Sequence, residues 1–146
     1  MALDAGIGAN SASGGYDIDN SCKFEADNRE YLRWNNISSY ASSTRKKTFS
    51  FSAWVKLTEV GSQCMIWSTA SNGYLTIQAS GVIKWQQTYG GVQKTLNTNR
   101  VFRDTSAWYN IIIAVDSTQS TEANRSRLYV NGVEETSFSS ATYPSQ

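Results

Sequence analysis

Residues 48–56 read Thr-Phe-Ser-Phe-Ser-Ala-Trp-Val-Lys, a strict period of two. Phe49, Phe51, Ala53 and Val55 fall on one side, and Ser50, Ser52, Trp54 and Lys56 on the other. That alternation marks a strand with one face in a core, and it is incompatible with a helix. Further β-rich runs follow at short spacing over residues 63–68, 74–78 and 82–89, separated by Ser71-Asn72-Gly73 and Ser80-Gly81. Those breaks have turn chemistry. Gly90-Gly91 lacks the Lys and the helix of a phosphate loop and reads as another hairpin turn. Residues 108–116 are apolar almost throughout, as expected of a central strand covered on both faces. Asn131-Gly132 stands between two β-rich runs, the strongest short-range hairpin signal. No segment sustains a 3.6-residue period. The expected fold is therefore all-β, an antiparallel β-sandwich.

A length of 146 residues suits one domain with one core. Residues 1–20 are small, polar and glycine-rich, and read as a flexible N-terminal arm, with a frayed terminus as the alternative. Residues 21–146 are read as the folded domain. The formal net charge of +1 gives no basic excess for nucleic acid. No apolar run approaches the roughly 20 residues of a membrane helix, so no membrane insertion is expected. Histidine is absent, which removes Ser-His-Asp and Cys-His catalysis and His-based metal sites. The first residues carry no signal-peptide pattern, so synthesis in a reducing cytoplasm is expected. Cys22 and Cys64, each in a strand-like run, are then read as free thiols rather than a bridge. The chain holds 5 Trp, 8 Tyr and 5 Phe, a content that favours binding over chemistry.

Three segments carry a family resemblance. Phe51-Ser-Ala-Trp-Val-Lys56, Trp108-Tyr-Asn-Ile-Ile-Ile-Ala-Val-Asp116 and Arg127-Leu-Tyr-Val-Asn-Gly132 resemble the signature strands of laminin-G-like, concanavalin A-like jelly rolls. Residues 21–32 resemble the first hairpin of those domains. A narrower likeness lies in Gly15-Tyr-Asp-Ile-Asp-Asn-Ser21, Arg45-Lys-Lys-Thr-Phe-Ser-Phe51, Arg103-Asp-Thr-Ser-Ala-Trp-Tyr109 and Ala141-Thr-Tyr-Pro-Ser-Gln146. These are similar to the version of the domain found in tailed-phage virion proteins. That resemblance implies a virion component, a tail fibre or similar appendage, assembled in the host cytoplasm. It also implies neighbouring virion chains as partners, a homo-oligomer of the trimeric kind common in fibres, and host-surface polysaccharide as a target. Jelly rolls of this family return a final strand beside the first. Its absence after residue 144 implies either a truncated portion of a longer protein or a closing strand supplied by a neighbouring chain.

No catalytic residue is expected. Glu25-Ala-Asp-Asn-Arg-Glu30 spells the E-x-D-x-x-E string of a glycoside hydrolase family with this fold, but its interior is turn-like rather than apolar. Arg45-Lys46-Lys47 reads as a solvated loop. Sugar recognition needs an exposed ring against a pyranose face, with amide or carboxylate company. Trp54, opposite the Phe face, is either exposed or covered by a third layer. Tyr74, Asn72 and Gln78 lie on a turn and on the strand face opposite Leu75 and Ile77. Trp54, Tyr74, Asn72 and Gln78 are thus the candidate carbohydrate contacts. Ile83 and Trp85 share a face, so if one enters the core the other does. No cofactor is expected. Calcium is the ion that related jelly rolls hold in rim loops, with Asp104, Asp116, Asn124 and Asn131 as candidates by residue type only.

Overall fold

The Phe/Ser alternation forms strand β1, Thr48–Lys56, whose side chains alternate between half-buried and exposed along its whole length. The computed structural model describes residues 21–24, 30–33, 47–69, 73–89 and 91–146. Among these follow β2 (Cys64–Thr69), β3 (Gly73–Ile77), β4 (Val82–Tyr89), β5 (Val92–Val101) and β6 (Trp108–Asp116). A single 3-10 turn, Glu122–Arg125, precedes β7 (Ser126–Val130), β8 (Val133–Glu134) and β9 (Phe138–Thr142). No helix among the described residues is long and apolar enough to cross a membrane.

The strands form two antiparallel sheets, one ordered β1-β6-β7-β8 and the other β2-β3-β4-β5-β9. Their apolar faces meet, giving the antiparallel β-sandwich that the alternation and the turns predict, in the jelly-roll form the resemblance implies. By compactness the chain divides into units Met1–Asn36 and Ile37–Gln146, and the sandwich is the second. The expected arm, residues 1–20, lies outside the described residues. In the first unit, residues 21–24 and 30–33 form no regular strand, and Phe24, Tyr31 and Leu32 are exposed. The described parts of the anticipated first hairpin are therefore not strands. Cys22 is exposed and outside any strand, with only polar Ser21 and Lys23 beside it, whereas Cys64 is half-buried in β2. Both are free thiols.

The core follows from strand parity. In the β1–β6 ladder Phe49 faces Val115, Phe51 faces Ile113, Ala53 faces Ile111 and Val55 faces Tyr109. The opposing sheet supplies Leu75, Ile77, Ile83, Trp85 and Leu96, all essentially without exposure. Ile83 and Trp85 enter the core together, as their shared face requires. Each such side chain contributes about 1.5–3 kcal/mol relative to exposure. Trp67 of β2 joins the sheets, its ring centroid 6.3 Å from Phe49 and 5.9 Å from Phe51. Phe102 meets Tyr109 edge-on at 5.4 Å, under the Arg100 guanidinium.

One expectation is corrected. Strand β6 is not covered on both faces: Tyr109, Ile111, Ile113 and Val115 are buried, while Trp108 is exposed and Asn110, Ile112, Ala114 and Asp116 are half-buried. Ile112 and Ala114 are apolar on the outward parity and conceal the alternation in the sequence. Strand β9 pairs with β5, through Thr95↔Thr142 and Leu96↔Ala141. Strand β1 has β6 on one edge and no described strand on the other.

Turns set the register. Asn131 and Gly132 adopt φ 53° and 77°, the left-handed pair that a two-residue hairpin requires. Gly81 has φ 85°, and a Cβ there would stand 2.7 Å from Val101 Cγ1 and 2.8 Å from Arg103 Cγ. At Gly132 nothing lies within 4 Å of such a Cβ. Gly132→Ala should therefore cost only its backbone conformation, about 1 kcal/mol. Gly81→Ala should lose a further 1–3 kcal/mol, roughly, from overpacking. Urea unfolding of the two variants checks the difference, and equal losses would contradict it.

Candidate functional site

Parity also decides what the four-stranded sheet shows to solvent. The β1–β6–β7 register lays out five outward rows: Lys56 with Trp108, Trp54 with Asn110, Ser52 with Ile112 and Tyr129, Ser50 with Ala114 and Arg127, and Thr48 with Asp116. Glu134 of β8 stands beside Tyr129. Trp54 and Trp108 are diagonal neighbours on this face, a relation that places Cβ atoms about 7 Å apart. They are 54% and 48% exposed, so both indole faces meet water. Asn110 lies beside them, its N–H donating to Asn131 Oδ1 at 2.8 Å.

At the other end of β6 the same face hollows into an open groove of about 380 Å³. Ala114 and Asp116 contribute from β6, Arg127 and Tyr129 from β7, and Gln119 and Asn124 from the connecting loop. The loop's own hydrogen bonds shape it. Asp116 Oδ1 accepts from the Thr118 N–H at 3.0 Å and hydroxyl at 2.6 Å, and Oδ2 accepts from Gln119 Nε2 at 2.6 Å. Those donors hold the Asp116 carboxyl below the usual carboxylate range. Arg127 donates to Asn124 Oδ1 at 2.7 Å, and its Nε lies 3.7 Å from Glu134. Hydrogen bonding to Tyr129, then the Glu134 charge, hold the guanidinium protonated. Chemically the face carries aromatic rings at one end and amide, guanidinium and carboxylate groups at the other.

The residues singled out in the sequence are not brought into one site. Trp54 is on the outer face of the four-stranded sheet and exposed, which settles its alternative. Tyr74 is on the outer face of the five-stranded sheet, across the whole sandwich. Its hydroxyl donates to Gln86 Oε1 at 2.9 Å, and Lys84 Nζ lies 5.6 Å from the ring centroid. Gln78 follows the far end of β3, in the turn where its N–H meets Val82 O and its C=O accepts from Gly81. Asn72 lies outside the described residues. Trp54 and Tyr74 do not share a face, because their strands belong to different sheets.

The cation candidates separate likewise. Asp104 and Asn131 lie at the Trp108 end of β6, and Asp116 and Asn124 at the other. Along β6 that is about eight steps of 3.4 Å, roughly 27 Å. Asp104 is occupied by the Ser106 N–H and hydroxyl, which lower its pKa. No group of three or more acidic or cysteine side chains gathers among the described residues. Glu25 lies outside those residues, and Glu30 is in the first unit. Trp108, Arg127 and Tyr129 were missed by sequence reasoning. The signal for Trp108 was present in its parity, which it shares with Asn110 and Asp116 rather than with the buried isoleucines.

Two antiparallel sheets packed face to face, with an exposed aromatic pair and a polar groove on one outer surface, define a lectin-like β-sandwich. The chain belongs to the Laminin_G_3 family of the concanavalin A-like lectin/glucanases superfamily, whose model matches residues 27–146. No curated protein and no solved structure matches it.

Both lowered carboxyls titrate below their unfolded value of about 3.9. Their contribution to stability is complete above that value and disappears as pH falls through the depressed native values. Thr118→Val should move the Asp116 titration up toward the ordinary range and leave Asp104 in place. Carboxyl titration by NMR measures both, and an unmoved Asp116 would show that Thr118 is not its principal partner.

Proposed function

We propose that this jelly roll is a non-catalytic glycan-binding domain and that Trp54 and Trp108 are its primary contacts. One observation carries the reading: two large indoles, diagonal to each other on one sheet face, each about half exposed. Leaving about half of each side chain in water forfeits roughly half of the 1.5–3 kcal/mol that full burial would supply. A pyranose face stacked on them recovers part of that, while Lys56 and Asn110 are placed to reach ring hydroxyls. Family membership fits this role without requiring it, since function belongs to sites rather than folds. The opposite face presents Tyr74 already engaged by Gln86 and Lys84, and is the poorer platform.

The setting we propose is a phage virion, with the domain part of a tail fibre or similar appendage that meets host-surface polysaccharide. The virion-like segments around residues 15–21, 45–51, 103–109 and 141–146 support that setting. The second edge of β1, bordered by no described strand, is where a neighbouring chain of the assembly would add one.

The test is affinity electrophoresis of the full chain through a panel of bacterial polysaccharides, with and without chelator. Trp54→Ala and Trp108→Ala should each weaken retardation by about tenfold or more, equivalent to about 1.4 kcal/mol. Tyr74→Ala should not, and chelator should have no effect. Retardation lost only in Tyr74→Ala would move the site to the other sheet, and chelator sensitivity would restore a calcium-dependent lectin. A folded chain that binds nothing would leave a scaffold role in the particle. Release of reducing sugar, abolished by Glu25→Gln or Glu30→Gln, would reinstate a glycoside hydrolase.

A further inference from the structure

We infer that the outer face of the four-stranded sheet is one continuous strip for the interior of a linear, uncharged polysaccharide, lying along β6 from the two indoles to the Asp116 groove. The inference rests on the glycan-binding reading and names the ligand class of that same face. Four observations converge on it.

The first is length. Trp108 and Asp116 bound the same strand on the same face, about 27 Å apart at 3.4 Å per residue. That span is several pyranose rings long, far more than a terminal sugar needs. The second is the floor. Between the ends the rows carry Ser52 beside Ile112 and Ser50 beside Ala114, so no aromatic or long charged side chain rises from β1 or β6 to interrupt the path, and Ile112 is half-buried. The third is the flank. Tyr129 and Arg127 stand in those same two rows on β7 and form a side wall leading into the groove.

Charge supplies the fourth. Lys56 and Arg127 are matched by Asp116 and Glu134, so the face has no net charge. The Asp116 carboxylate is taken up by Thr118 and Gln119, and Glu134 lies by Arg127. An anionic chain would gain no net attraction and would meet two carboxylates. A neutral chain instead finds a stacking platform at one end. At the other it finds Asn124, whose amide nitrogen makes no hydrogen bond among the described residues while its oxygen is held by Arg127.

The experiment titrates the full chain calorimetrically with malto-, cello- and manno-oligosaccharides of two, four, six and eight rings, and with alginate and hyaluronan oligomers as charged probes. For the neutral series that binds, affinity should rise at least tenfold from the disaccharide to the hexasaccharide and then level off. Ala114→Trp, which raises a ring where the floor enters the groove, should lower the hexasaccharide's affinity to that of the disaccharide. Gln119→Ala and Asn124→Ala, on the connecting loop, provide second variants that should weaken the longer ligands severalfold without a core change. Circular dichroism confirms that each variant is folded. A disaccharide that binds as tightly as the hexasaccharide, or a uronate polymer that binds more tightly than any neutral one, overturns the strip while leaving the indole platform intact. Absence of binding by every oligosaccharide and by the polysaccharide panel overturns the glycan-binding reading and this inference with it.

Discussion

The pairing of β1 with β6 governs most of what this domain can be. The two strands run together for nine residue pairs, from Thr48↔Asp116 to Lys56↔Trp108, without a break in register. Because strand side chains alternate, a slip of one residue would carry an entire face to the other side. Were β1 to slip, Phe49, Phe51 and Val55 would leave the core and Trp54 and Lys56 would have to enter it. Were β6 to slip, Ile111, Ile113 and Val115 would leave and Trp108 and Asp116 would enter. That penalty makes the observed register effectively unique. It is reinforced at the Trp108 end by Asn131, whose N–H and side-chain oxygen both bond the Asn110 backbone at 2.8 Å. Toward the other end the ladder is anchored to the second sheet through Trp67, packed between Phe49 and Phe51.

One consequence is that the outer face is specified as firmly as the core. The rows of Trp54, Trp108, Asn110 and Asp116 are the reverse side of the rows that bury isoleucine, and neither set can be rearranged without the other. A surface built in this way is held on strands rather than on mobile loops, so its groups are positioned before any ligand arrives. Preorganisation of that kind reduces the ordering cost of binding. The groove end adds a second layer of constraint. Residues 116–119 are locked by three hydrogen bonds to the Asp116 carboxylate, and Arg125 ties the loop down further through Gln119 O at 2.9 Å and Pro144 O at 3.0 Å. The same carboxylate that gives the groove its polar rim is thus spent mostly on shaping it.

Legibility in the sequence followed the strength of the alternation. In β1 every second residue is polar or is Trp54, so both the strand and its exposed face were readable. In β6 three consecutive isoleucines erased the contrast, and the outward parity of Trp108 disappeared among them. The Asn131-Gly132 hairpin was legible because its two left-handed residues are chemically restricted. The place of β9 was not, since residues 138–142 carry no comparable signal and three-dimensional packing sets them beside β5. The proposed sugar contacts suffered from a related limit. Trp54 and Tyr74 each sit opposite an apolar set within their own strand, yet sequence alone cannot tell that those strands belong to different sheets. Parity gives a side chain's face relative to its neighbours, but not which of two surfaces that face becomes.

This separation bears on how the fold serves function. In a sandwich both inner faces are committed to one shared core, so the fold itself constrains the outer faces only through parity. Either can be polar and inert or can be shaped for a ligand. Here the two have diverged. The five-stranded sheet engages its half-buried outward ring internally, with Gln86 accepting from the Tyr74 hydroxyl and Lys84 above the ring. The four-stranded sheet leaves Trp54 and Trp108 half bare and carves its groove on the same side. Apolar rings scattered singly over a surface need no explanation. Two adjacent on one strand pair, aligned with a polar groove along a common strand, form a directional surface that packing within the sandwich does not require. The asymmetry between the outer faces, more than the fold they share, is therefore what the proposed binding role rests on.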